Sequence, residues 1–134
     1  MTTISKHNQL ITLINVFTVE PSRQQELLDL LDRATQIVRL EPGFISSSLH
    51  RGIDGNKVTM YAQWRSVEAY RAMRENPTPL SYFEQAAAFT EFETAVYEVV
   101  ETYSPQPERR RAIGARTWVE RSFVAIACRS DLQK

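Results

Sequence analysis

The sequence predicts an α+β fold of the ferredoxin-like kind, with elements in the order βαββαβ, and three observations predict it. The stretch Leu49–Trp64 reads as a β-hairpin: two strand-like runs flank Gly52, Asp54, Gly55 and Asn56, and Gly and Asn accept the positive φ that tight turns need. A helical pattern follows the first strand-like run, and a second one follows the hairpin. A last period-two segment closes the series. That order gives a four-stranded antiparallel sheet with its helices on one face, and the right-handed crossover rule places the first and third strands at its centre.

Each element has its own signal. Residues 10–19, Leu-Ile-Thr-Leu-Ile-Asn-Val-Phe-Thr-Val, are rich in β-branched residues and form the first strand. Ser22 and Gln25 have the spacing of a capping box. Leu27, Leu28, Leu30, Leu31, Ala34, Ile37 and Val38 then recur at helical intervals. Pro42-Gly43 ends that helix, since the residue before a proline leaves the α region. Strand two runs from Phe44 to Arg51, and strand three from Lys57 to Trp64. Ser66 caps a helix carrying Val67, Tyr70 and Met73; Asn76-Pro77-Thr78-Pro79 interrupts it, and a second helical piece spans Leu80–Phe89. Residues 92–103 form the fourth strand. The expected domain is 1–104, and residues 105–134 are a C-terminal extension whose Trp118, Val119, Phe123, Ile126 and Ala127 fit a helix, while Phe123 to Cys128 alone fit a short strand.

Composition narrows the function. A chain of 134 residues with 43% hydrophobic and 24% charged side chains is that of one globular domain. Sixteen basic residues balance sixteen acidic ones, which argues against nucleic acid or an anionic membrane surface as partner. The first nine residues are polar, without the apolar core of a signal peptide, and no apolar run is long enough to span a bilayer; a cytoplasmic protein is expected. Cys128 is alone, and His7 and His50 are the only histidines, so neither a disulfide nor a metal site is expected.

Four residues stand out as chemistry-bearing. Asn15 shares a strand face with Ile11, Leu13, Phe17 and Val19, where an amide needs partners. A strand bulge, a subunit contact or a ligand pocket would each supply them. His50 ends strand two, and imidazole accepts a proton near neutral pH; a surface position suits it equally. Trp64 ends strand three, where it either seals the core or faces a ligand, and Tyr70 sits at helical spacing among core residues. Leu10, Ile14 and Val16 make the second sheet face apolar as well, so it needs cover. The simplest cover is the same sheet of a second copy, and a homodimer with sheets face to face is expected.

Residues 9–103 resemble the antibiotic biosynthesis monooxygenase family of the dimeric α+β barrel superfamily. The resemblance rests on Asn15, Val19-Glu20-Pro21, Glu41-Pro42-Gly43-Phe44, Leu49-His50-Arg51, Tyr61-Ala62-Gln63-Trp64, Ser66 and Ala69-Tyr70. It implies oxidation of a small or polycyclic aromatic (a phenol, anthrone or quinol) by O₂ with no metal or flavin cofactor. Trp64, His50 and Asn15 would be catalytic, and Tyr70, Met60 and Phe83 would contact substrate. Two positions depart from the pattern: Met60 stands where quinone-forming members carry an Asn, and Phe83 about where they carry an Arg. These losses of polarity leave a non-catalytic dimeric binding or regulatory protein as the alternative. Haem-degrading relatives use a helix-borne His, and none occurs between Arg65 and Phe89.

Overall fold

The first apolar run becomes strand β1 (Ile11–Thr18), after which Pro21–Arg23 make one 3₁₀ turn and α1 runs over Gln24–Val38. Strands β2 (Phe44–Arg51) and β3 (Lys57–Trp64) form the hairpin, α2 (Val67–Glu75) and α3 (Pro77–Ala87) follow, and β4 (Glu91–Tyr97) completes the sheet. The computed structural model describes residues 2–7 and 9–107, and of the extension expected over 105–134 all but its first three residues lie outside the described residues. The residues up to Thr102 form one compact unit.

The sheet order is β2-β3-β1-β4, antiparallel throughout, so β1 and β3 are central as the crossover rule requires. Alternation puts Leu13, Asn15 and Phe17 of β1 and Val58, Met60, Ala62 and Trp64 of β3 on the face that meets the helices, and all seven are buried. Leu27, Leu28, Leu30 and Leu31 of α1 pack on this face with Phe17, Val58 and Met60, while Leu13, Val38, Ala62, Trp64 and Met73 form a second apolar cluster. The opposite face carries Thr12, Ser46, Ser48, Thr59, Tyr61 and Gln63, and its apolar members include the half-exposed Val16 and Tyr97. It is more polar than Leu10, Ile14 and Val16 alone foretold.

Local details differ from the sequence reading in three places. The capping box of Ser22 and Gln25 does not form, because Pro21 starts a 3₁₀ turn and delays α1 to Gln24. The helix after the Pro77 break begins at that proline, where Asn76 Oδ1 accepts from Thr78 N at 3.3 Å. Strand β4 ends at Tyr97, well before residue 103: its last pair is Thr12↔Tyr97, where β1 runs out of ladder.

Two contacts hold the hairpin and α2 in place. Gln24, 7% exposed, donates from Nε2 to the carbonyls of both Gly52 and Lys57 at 2.9 Å, stapling the start of α1 to the turn. Gly43 has φ +86°, and a Cβ there would lie 2.5 Å from the Cβ of Ala69. Glycine at this position lets α2 lie directly against the start of β2.

Candidate active site

A narrow cleft lies between the helix side of the sheet and the paired helices α2 and α3. Leu13 and Asn15 of β1 and Met60, Ala62 and Trp64 of β3 form its floor. Val38 of α1 and Phe44 and Ser47 of β2 form one wall; Tyr70, Met73 and Arg74 of α2 and Phe83 of α3 form the other. The empty space measures ≈ 390 Å³ with the solvent at its mouth included. The part open to the centre of a water-sized sphere is only ≈ 20 Å³, and that smaller figure is the room inside the cleft. It has room for roughly one water molecule, so a ring-sized ligand fits only where the half-buried side chains of the rim give way. A wider depression of ≈ 320 Å³ beside Asp32, Arg39 and Ser46 is open to solvent and contains none of the site residues expected from the sequence.

Five of the six expected residues, Asn15, Met60, Trp64, Tyr70 and Phe83, line this one cleft. His50 does not. It pairs with Thr59, not with a residue of the Met60 set, so its ring stands on the opposite sheet face, where Nε2 lies 2.9 Å from Ser48 Oγ. The expectation that His50 joins Trp64 is thereby corrected. The cause is a β-bulge between Phe44 and Ser46, which shifts the register of β2 by one residue. Phe44 faces the cleft, and beyond the bulge Ser47, Leu49 and Arg51 take that side in place of Ser46, Ser48 and His50.

Trp64 is the centre of the site. It is 1% exposed, meets Phe44 edge-on at 5.4 Å between ring centroids, and meets Tyr70 at 6.0 Å and 67°. Asn15 stands between Met60 and Thr94 in the ladder, and its Oδ1 accepts from Thr94 Oγ1 at 2.5 Å. Among the described residues neither Asn15 Nδ2 nor Trp64 Nε1 donates to a protein acceptor. No buried side-chain nitrogen or oxygen there lacks a partner. Both residues line the cleft. An amide or indole N–H that reaches an apolar cleft can hold an oxygen that gains negative charge.

Two residues escaped the sequence reading. Thr94 fixes the Asn15 amide from β4, and only the strand register brings the two together. Arg74 lines the cleft with its Cζ 4.9 Å from the centroid of the Phe83 ring. Its position one helical turn after Tyr70 was the available signal. The two carboxylates held below their ordinary range, Glu26 by its hydrogen bonds to Arg23 and Glu101 by that to Lys6, line no part of the cleft. Among the described residues no group of three or more His, Cys, Asp or Glu side chains is placed to hold a metal ion. No described helix is long and apolar enough to cross a membrane.

Comparison with known proteins shows the family. The chain is 38% identical over 104 residues to tetracenomycin-F1 monooxygenase of Streptomyces glaucescens, a match covering 77% of this chain and 93% of that one. The fold is similar to a monooxygenase from the ActVA-Orf6 gene of Streptomyces coelicolor, solved in complex with nanaomycin D (TM-score 0.64, 26% identity, 72% of this chain and 92% of that one). It is similar also to a variant of SnoaB, a cofactor-independent oxygenase from Streptomyces nogalater (TM-score 0.63, 25% identity, 70% and 96%). The sequence profile of antibiotic biosynthesis monooxygenases matches residues 10–85, the span from β1 to α3 that builds the cleft, and the chain belongs to that family.

Proposed function

We propose that the protein is a cofactor-independent monooxygenase that converts an electron-rich phenol or anthrone to a quinone with O₂. The observation that carries this reading is the convergence of Asn15, Trp64 and Tyr70 on one largely apolar cleft. The chemistry asks little more of a protein. The substrate loses a proton to become a carbanion stabilised by its phenolate form, and this carbanion adds O₂ and takes a proton back to give a hydroperoxide. Loss of water then leaves the carbonyl, so a CH₂ group and O₂ become C=O and H₂O. An apolar wall raises the reactivity of the anion, and the donors of Asn15 and Trp64 hold its oxygen. Met60 lacks the amide of quinone-forming members, yet Asn15 is its direct partner across the β1–β3 ladder, so an amide stands next to the vacated position. The names of the relatives, a tetracenomycin-F1 monooxygenase and a cofactor-independent oxygenase, support the same reaction class.

The test is oxidation of a panel of anthrones and dihydroxynaphthalenes in air, with no added cofactor, followed by quinone absorbance. Wild type is expected to form quinone and Trp64→Phe to form it at least about tenfold more slowly. Equal inertness of both proteins would overturn the reading. The second reading is a binding module, favoured by the apolar Met60 and Phe83; it predicts that the panel binds without turnover.

We further propose that the working form is a homodimer joined through the open sheet face, where Val16 and Tyr97 remain half-exposed. Sizing at low micromolar concentration is expected to give twice the 15.4 kDa chain mass. A single species at the monomer mass would refute it.

A further inference from the structure

The cleft has one charged side chain in its lining, and among the described residues that charge has no counterpart. Asn15, Thr35 and Ser47 are its neutral polar members, and no carboxylate lines it. Among the described residues Arg74 makes no ion pair, and its guanidinium packs on the Phe83 ring. Burial divides the cleft into floor and rim. Trp64 and Asn15 are 1% and 4% exposed, whereas Arg74, Phe83 and Tyr70 are only half-buried. The charged side chain therefore belongs to the less buried part of the lining, and the floor holds Asn15 and Trp64 and no carboxylate. A partly desolvated guanidinium that already stacks on one ring is suited to a planar ligand with an anionic oxygen, because it pairs with the oxygen and stacks on the ring together.

We propose that Arg74 determines specificity in this cleft by selecting an aromatic ligand that carries an anionic oxygen, carboxylate or phenolate. The inference rests on the aromatic cleft proposed above and adds to it the charge class of the ligand. It also assigns the cation to α2, one turn from Tyr70, while the α3 position contributes only the Phe83 ring beneath it. An Arg that merely covers Phe83 would be worth little to any ligand and indifferent to ligand charge.

Titration calorimetry on the full chain with 1-naphthoate and its neutral counterpart 1-naphthamide separates these roles. Wild type is expected to bind naphthoate at least about tenfold more tightly than naphthamide. Arg74→Met is expected to lose that preference while binding naphthamide within about threefold of wild type, and Arg74→Lys to keep part of the preference. Circular dichroism checks that each variant is folded. If naphthamide binds but wild type shows no preference, or Arg74→Met retains it, the role of Arg74 is refuted and the aromatic cleft stands. If neither probe binds wild type, the aromatic cleft is refuted and this inference falls with it.

Discussion

Trp64→Ala is expected to lower the stability of the fold by about 3–5 kcal/mol. Small domains have only about 5–15 kcal/mol in total, so the loss is a large share of what holds this one together. The reason is local geometry. Trp64 closes β3 at 1% exposure, pairs with Ile11 of β1 and Phe44 of β2, and gives its ring edges to Phe44 and Tyr70. Its removal takes away a large transfer term and two aromatic contacts, each worth about 0.5–1.5 kcal/mol beyond area. The neighbours have little freedom to collapse into the gap. Gly43 already lies against Ala69, so α2 cannot come closer to β2 without a clash. Urea unfolding followed by far-ultraviolet circular dichroism measures the effect as a drop in midpoint at unchanged slope. Added indole is expected to recover part of the loss, because an apolar space of ring size stabilises the state that binds a ring. A loss under about 1 kcal/mol would mean that Trp64 does not organise the core.

The architecture was largely legible in the sequence because its signals are local. Gly52–Asn56 announce the hairpin, Pro42-Gly43 and Pro77 punctuate the helices, and period two marks the strands. From the element order the sheet order follows by rules of handedness. Five of six expected site residues meet in the cleft for the same reason: Asn15, Met60 and Trp64 share a parity that no bulge disturbs in β1 or β3. His50, expected in the site from the resemblance, stands on the other face because strand parity survives only until the first bulge. Strict alternation from Phe44 puts Ser46, Ser48 and His50 toward the helices, and the bulge at Phe44–Ser46 reverses all three. Nothing in the run Phe-Ile-Ser-Ser-Ser-Leu-His marks it, since a bulge needs neither Gly nor Pro. The Gln24 staple and the Thr94 anchor were illegible for a different reason. Each is a contact between residues distant in sequence, 28 and 79 positions apart, and such pairs emerge only from the register and the packing of α1 on the hairpin.

Asn15→Leu is expected to leave stability unchanged or raise it by up to about 1 kcal/mol while reducing quinone formation by about 10²–10³-fold. A buried amide among Leu13, Phe17 and Met60 is an expensive choice for a central strand. Leucine has nearly the same length and branching, and would join the apolar surface on both sides. The partner left behind is not stranded, because Thr94 lies on the exposed edge strand β4 and its hydroxyl can turn to water. If Asn15 served the fold, the substitution would cost the 1–3 kcal/mol typical (about) of a broken buried hydrogen bond, and activity per folded molecule would not change. If it serves the reaction, the two effects separate: the fold holds and the rate falls. Thr94→Val gives the companion measurement. It keeps the amide but frees its orientation, so the rate is expected to fall by only about tenfold, mainly in kcat, because a donor that wanders from the developing oxyanion weakens its hold on the transition state more than on the ground state. A Thr94→Val enzyme indistinguishable from wild type would show that β4 plays no part in aiming Asn15, and an Asn15→Leu enzyme of undiminished rate would remove the amide from the mechanism altogether.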